Sequence, residues 1–208
     1  MFKNIYSGKF IVFEGLDGSG QSTQAALLRD FLIKHGYDFI LTKEPTQNSD
    51  AGKQIRQILD MKISMESQKI QEFFTQDRKE HLENLVSPSL KEGKIVICDR
   101  YFFSTFAFGV SDNLDLEWLI NLNNNFLYPD ITFLLKVSPE VCVQRIEKRG
   151  EGVKLFEKID KLTRVWQTYE ILPKRFENIY MIDGEKNIEE VFFQVKDIIL
   201  SRLDIKET

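Results

Sequence analysis

Gly15-Leu16-Asp17-Gly18-Ser19-Gly20-Gln21-Ser22-Thr23 is the stretch with the most direct chemical reading. It follows the phosphate-loop pattern G-x-x-x-x-G-K-[ST], except that Gln21 stands at the lysine position. Glycines let backbone N–H groups curl around an anion without Cβ clashes. A helix starting behind the loop points its positive dipole end at the same anion. The whole stretch is therefore a candidate for binding phosphates, with the Ser22 hydroxyl offered to Mg²⁺. Lysine normally brings positive charge to the β- and γ-phosphates. Gln21 can donate a hydrogen bond but has no charge. Either another cation compensates, or catalysis is weak. A ligand-free glycine-rich turn is the competing reading, and three glycines in six residues weigh against it.

Two further groups sit where such chemistry would need them. Asp99-Arg100-Tyr101 follows the apolar stretch Ile95–Cys98. Ligands of parallel sheets bind outside the carboxyl ends of strands. Asp99 there can hold Mg²⁺, partly through water, and Arg100 can clamp a phosphate with two parallel N–H bonds. A plain surface ion pair is the alternative. Phe74 and Arg78 are four apart, hence on one helix face. The ring suits stacking on a nucleobase and the guanidinium suits a base carbonyl. Taken alone, a core Phe beside an exposed Arg explains them better. Arg145, Lys148, Arg149 and Lys154 surround a polar interruption at 149–154. A solvated basic helix end is the ordinary explanation. Beside a phosphate loop without its lysine, these residues become the obvious replacement charge.

The elements that must position these groups alternate along the chain. Strands are expected at Lys9–Glu14, Phe39–Thr42, Ile95–Cys98, Ile131–Val137 and Ile179–Ile182. Helices are expected from the loop to a stop at Gly36, near Ala51–Leu59, over Ser67–Val86 with a break or kink at Pro88, and at Leu116–Leu122. Pro139 opens another, a favoured place for proline. A helix resumes through Trp166 and Tyr169 to about Phe176, and a last one covers Ile188–Leu203. This alternation predicts an α/β fold: an open five-stranded parallel sheet with helices on both faces.

Composition narrows the function classes. The chain has 208 residues, 42% hydrophobic and 29% charged, as expected for one globular domain spanning 1–208. The 17 Phe point to a Phe-rich core. A net charge of −4 argues against a dedicated nucleic-acid binder. No stretch resembles a membrane span or a secretory leader, so a cytoplasmic location is expected. Two cysteines and two histidines suit neither a disulfide framework nor a zinc site.

The ordered motifs resemble those of the thymidylate kinase family. Phe13–Gln24 looks like its first motif, and Lys43-Glu44-Pro45-Thr46 its arginine-glutamate-proline segment. Phe74–Arg78 with His81, then Asp99-Arg100-Tyr101 with Ser104 and Phe108, then Tyr128-Pro129-Asp130, resemble the later blocks. The resemblance implies a P-loop, nucleoside monophosphate kinase-like fold with a short helical lid at about 149–156. It implies transfer of the ATP γ-phosphoryl group to dTMP, with Mg²⁺ as cofactor. The dTMP site would comprise Asp17 at the sugar 3′-hydroxyl, Glu44, Phe74 on thymine, Arg78 on a base carbonyl, Arg100 on the phosphate, Ser104, and Phe108 crowding the 2′ position. Ser22 and Asp99 would hold the metal. Arg100, Asp99, Gln21 and the lid residue Arg149 would be catalytic, with Arg145 and Lys154 also on the ATP side. The partners implied are ATP and dTMP, with no nucleic acid and no membrane, in a homodimer. Gln21, Gln47-Asn48 and Phe108-Gly109 depart from the family's usual residues. A nucleotide-binding protein without useful turnover, or a kinase for a related deoxynucleotide or deoxynucleoside, stays open on the sequence.

Overall fold

The structure is a computed structural model that describes residues 1–148, 155–203 and 205, with backbone only at 155–158. Five strands form one parallel sheet: β1 (Lys9–Gly15), β2 (Phe39–Lys43), β3 (Ile95–Asp99), β4 (Ile131–Lys136) and β5 (Ile179–Asp183). Their spatial order is β2-β3-β1-β4-β5. Central strands lie between two helical layers, so they carry near-continuous apolar runs. Phe10, Ile11, Val12 and Phe13 of β1 are all fully buried. The side-chain alternation of a strand divides them: Phe10 and Val12 enter one core layer, Ile11 and Phe13 the other.

One layer packs the sheet against α5 (Phe102–Ser111) and α8 (Leu155–Arg175). The other packs it against α1 (Gln21–Lys34) and α9 (Ile188–Arg202). Asn187 and Glu190 close a reciprocal capping box at the start of α9. The remaining helices are α2 (Asp50–Leu59), α3 (Ser67–His81), α4 (Ser87–Lys91), α6 (Leu116–Leu122) and α7 (Pro139–Glu147). Among the described residues, no helix is long and apolar enough to cross a membrane.

Two features differ from the sequence reading. The helix expected to break or kink at Pro88 runs on to Lys91, and its distortion falls just before the proline. A wider π-type turn at Leu82–Val86 precedes the proline, which occupies the first turn of α4. Proline lacks an N–H and clashes with the carbonyl four residues back, and the widened turn absorbs both. The second difference is α5, which periodicity does not reveal. Its sequence, FFSTFAFGVS, is apolar nearly all round, so it shows no polar face, and that is the mark of a buried helix.

The order of the strands creates the site. β1 lies between β3 and β4, and the chain leaves it toward β2 on one side while the later strands extend the sheet on the other. The carboxyl end of β1 is thus a topological switch point, where a parallel sheet opens a crevice. α5 meets that end through Ser104, which bonds Glu14, and is fixed in the core by an aromatic cluster in which Phe106 meets Phe102, Phe103 and Phe176 at ring separations of 5.5–5.8 Å. Phe106→Ala should cost about 3–5 kcal/mol of folding stability, the range for emptying a buried aromatic site. Urea unfolding measures it, and a loss under about 1 kcal/mol would show that α5 is not part of the rigid core.

Candidate active site

The loop after β1 folds as an anion cradle. Ser19 N–H donates to the Leu16 carbonyl at 3.0 Å and closes the turn. Gly18 has φ +88°, and a Cβ there would stand 2.6 Å from the Cys142 carbonyl of α7. Gly20 has φ +104° and begins α1 without a side-chain cap. The first turn of α1 also carries no acidic residue. Its leading N–H groups, which every helix leaves unpaired, therefore remain available to a ligand. Leu16 contributes backbone only, its side chain being fully buried.

Gln21 is turned inward. Its Nε2 donates to the Gly15 carbonyl at 2.9 Å, and its Oε1 accepts from Ser19 Oγ at 3.1 Å. The reading of Gln21 as a donor held toward phosphate needs correcting to this extent: both ends of the carboxamide are engaged within the loop. The loop offers one acceptor and one donor at matching places, and a carboxamide satisfies both where an ammonium could only donate.

Beside the loop, three elements converge on one carboxylate oxygen. Asp99 Oδ2, at the end of β3, accepts from Ser22 Oγ of α1 at 2.5 Å and from Lys43 Nζ of β2 at 3.0 Å. Asp99 is buried while Lys43 is about half exposed. A hydroxyl and a carboxylate in contact next to a phosphate cradle are hard oxygen donors of the kind Mg²⁺ takes, and they fit that ion. A cavity of about 210 Å³ runs along Gly18, Gly20, Ser22, Thr23, Lys43, Asp99 and Arg100.

Arg100 leaves β3 with φ +74°, a left-handed backbone that only an over-determined surrounding holds in a non-glycine residue. Its N–H donates to the Phe13 carbonyl at 2.9 Å. Its Nη2 donates to Asp17 Oδ1 at 2.7 Å and its Nη1 to Ser104 Oγ at 3.0 Å. The Phe108 ring lies 5.4 Å beneath the guanidinium. Behind Ser104 is Glu14, fully buried at the end of β1. Glu14 accepts from the N–H groups of Tyr101 and Ser104 and from the hydroxyls of Ser104 and Tyr169. Burial raises its carboxyl to about 7, against the lowering pull of Ser104, Arg100 and Tyr169.

A second cavity, of about 260 Å³, opens on the other side of Arg100. Phe74 and Arg78 line it, as their spacing on α3 requires. Arg78 is a buried group here, not the exposed one its helix suggests. It donates to Glu44 Oε2 at 2.8 Å, to Asn123 Oδ1 at 2.5 Å and to Thr105 Oγ1 at 3.2 Å. A guanidinium has five N–H donors, so two remain. Glu44 also accepts from or pairs with His81 Nδ1 at 3.0 Å, and so serves as the buried counter-charge of this wall. Ser104 and Phe108 line the cavity too.

Residues to which the sequence assigns no role complete the site. Arg56, Gln71, Tyr101 and Thr105 line the second cavity. Gln71 Oε1 and Tyr101 Oη are buried without a partner among the described residues. Gln71 precedes Phe74 by three on α3, so the helical spacing used for Phe74 and Arg78 also reaches it. Of the expected lid cations, Arg145 ties the carbonyls of Ser19 and Gly184 at 3.3 and 3.0 Å, bracing the loop from the α7 side. Arg149 and Lys154 lie outside the described residues.

A parallel sheet of this order, with a glycine-rich loop and helix N-terminus at its switch point and a nucleobase-sized cavity alongside, defines a P-loop nucleotide kinase. The thymidylate kinase family model matches residues 13–195. The chain is 39% identical over 204 residues to a "Probable thymidylate kinase" of Pyrococcus horikoshii, covering 94% of this chain and 98% of that protein. It is 41% identical over 194 residues to one of Thermococcus onnurineus, covering 88% and 92%. It is 38% identical over 200 residues to the thymidylate kinase of Leptospira interrogans, covering 95% and 96%. The chain belongs to the thymidylate kinase family.

The raised carboxyl of Glu14 has a stability consequence with a definite sign. The folded state holds a proton that the unfolded chain has already released, so this group's stabilisation is full below about pH 4.5 and is lost as pH rises through about 7. Glu14→Gln keeps an acceptor for both N–H groups, and the neighbouring hydroxyls can turn to accept from its amide. Relative to the native chain, it should gain stability from pH 5 to pH 8, by up to about 3 kcal/mol, because each tenfold change in proton affinity is worth roughly 1.4 kcal/mol. Urea midpoints for both chains across that range measure it. Parallel curves would mean that Glu14 titrates normally.

Proposed function

We propose that this chain is a dTMP kinase that transfers the γ-phosphoryl group of ATP to the 5′-phosphate of dTMP, giving ADP and dTDP. Membership of the family supports the reaction. The observation that carries it for this chain is that the phosphate-loop cavity and the Phe74–Arg78 cavity meet at Asp17 and Arg100, which line both. A donor nucleotide and an acceptor nucleotide in those cavities would face each other across Arg100.

Phosphoryl transfer asks the protein mainly for positioning and charge. The loop amides and the start of α1 bind the donor phosphates. Ser22 and Asp99 would hold Mg²⁺, which would supply positive charge to offset that of the donor phosphates. Arg100, fixed by Asp17, Ser104 and the Phe108 ring, holds the acceptor phosphate. Phe74 stacks on thymine while Arg78 bonds a carbonyl, and the N3–H of thymine offers a donor to the unpartnered acceptor in that cavity. Phe108 crowds a 2′-hydroxyl, and Asp17 meets the 3′-hydroxyl. Arg149, with Lys154 behind it, delivers further charge when the lid closes. A homodimer, implied by the resemblance, and a cytoplasmic location belong to the same proposal.

A coupled assay for ADP release with dTMP and Mg²⁺-ATP tests the function. A second reading, binding without turnover, rests on the neutral Gln21; it wins if calorimetry shows both nucleotides bound and no ADP appears. Within the kinase reading, Phe74→Ala should weaken dTMP by about 1–3 kcal/mol, the usual worth of one stacked base. Unchanged dTMP affinity would place the base elsewhere. The ribose analogue of dTMP should react less efficiently than dTMP, and Phe108→Ala should narrow that gap.

A further inference from the structure

The phosphate loop has lost one unit of positive charge, and Gln21 does not replace it, since its carboxamide is engaged with Gly15 and Ser19. We propose that Lys43 supplies the missing cation: its ammonium serves the phosphoryl group in transit, entering from β2 instead of from the loop. This rests on the kinase reading above and adds to it a catalytic residue that the loop pattern does not contain.

Five observations carry it. Lys43 is the last residue of β2 and stands opposite Asp99 in the sheet register, so the sheet itself sets its approach. Its Nζ lies 3.0 Å from Asp99 Oδ2, the same oxygen that accepts from Ser22 Oγ of the loop helix. The ammonium is thus one carboxylate away from the donor phosphates. Lys43 lines both cavities, a place it shares with Asp17 and Arg100, and this common wall is where the group must cross. Among the described residues, Lys43 and Arg100 are the cations on the phosphate-loop cavity, and Arg100 already donates to Asp17 and Ser104. Lys43 is about half exposed and has one of its three N–H donors on Asp99, which leaves two for phosphoryl oxygens.

The next residue explains why the ammonium can be placed reliably. Glu44 is buried, its N–H donates to the Asp99 carbonyl at 3.1 Å, and its carboxylate holds Arg78 and His81. The end of β2 is thereby anchored to the base cavity, while the flexible lysine stem beyond it can follow the phosphoryl group. In the reaction, a dTMP phosphate oxygen attacks Pγ, the bond from Pγ to the β,γ-bridging oxygen breaks, and its electron pair leaves with ADP. Dianionic dTMP and Mg²⁺-ATP give dTDP and Mg²⁺-ADP with no proton gained or lost. Lys43 forms no bond to phosphorus; it offsets the charge shared among the equatorial and bridging oxygens.

The test uses the full chain, with native turnover measured first. Lys43→Met should lower kcat by about 100-fold or more, as removal of one transition-state donor does, with dTMP affinity changed less than about threefold. Lys43→Arg should keep most of the activity. Gln21→Lys in the Lys43→Met background should restore at least about tenfold, because the charge returns by the ordinary route. Binding of a non-hydrolysable ATP analogue, read by calorimetry, should weaken in Lys43→Met and recover in the double variant. Circular dichroism controls for folding. Native-like kcat in Lys43→Met overturns the proposal, as does a loss that Gln21→Lys leaves unrepaired. So does a collapse of turnover in Arg149→Ala with Lys43→Met unaffected, which gives the role to the lid. A native chain that binds both nucleotides and releases no ADP is a different failure, that of the kinase reading itself.

Discussion

A carboxyl group buried at the end of the central strand holds the catalytic side of this molecule together. Glu14 takes one backbone N–H group from the turn after β3, one from the first turn of α5, and two hydroxyls, one from α5 and one from α8. Strand, turn and both helices of one core layer therefore meet at a single polar point inside an otherwise apolar face. Burying a carboxylate is costly, and here its neighbours offset that only in part, which is why its proton is held to about pH 7. What the arrangement gains is geometry. Ser104 is pinned between Glu14 and Arg100, so the left-handed turn at Arg100 is held from behind and its guanidinium is aimed before any substrate arrives. Preorganised charge of this kind needs no rearrangement during reaction.

The same logic divides the site into halves that the sheet order brings together. α1 and β3 supply the donor side, through the loop, Ser22 and Asp99. α3 and α5 supply the acceptor side, through Phe74, Arg78, Ser104 and Phe108. The end of β2 touches both, because Lys43 lines the two cavities and Glu44, the residue after the strand, holds Arg78 in the wall of the second. One short chain segment thereby links base recognition to phosphate placement.

Much of this is legible in the sequence, and the reasons for the exceptions are physical. The strands at Lys9, Ile95 and Ile131 announce themselves because apolar runs with no polar face belong to a sheet covered on both sides. The loop is legible because glycine spacing reflects backbone conformations that other residues avoid. Asp99 and Arg100 follow from the rule that strand ends carry ligands. Lys43 obeys the same rule, yet in sequence it stands out only as an imperfect match to a family arginine. α5 is hidden because a helix buried all round has no period to detect. Arg78 looks exposed in sequence because its partners, Glu44, Thr105 and Asn123, are 34, 27 and 45 residues away. Glu14 reads as a strand terminus, since no local pattern tells that its carboxylate will face four donors.

Gln21 shows how a motif position can change its task without losing its place. At that position lysine would be a point charge directed at phosphates, needing nothing from the loop. A carboxamide needs both an acceptor and a donor, and the loop provides them in the Gly15 carbonyl and the Ser19 hydroxyl. The exchange stiffens the cradle and removes its charge at once. Stiffening favours binding of donor phosphates in ground state and transition state alike, which by itself does not speed transfer. The lost charge acts on bound donor phosphates and more strongly on the transition state, so it has to come from a group free to follow the moving phosphoryl. A half-exposed lysine at the junction of the two cavities has that freedom, whereas Arg100, fixed by Asp17, Ser104 and Phe108, and Arg145, tied to two carbonyls, do not.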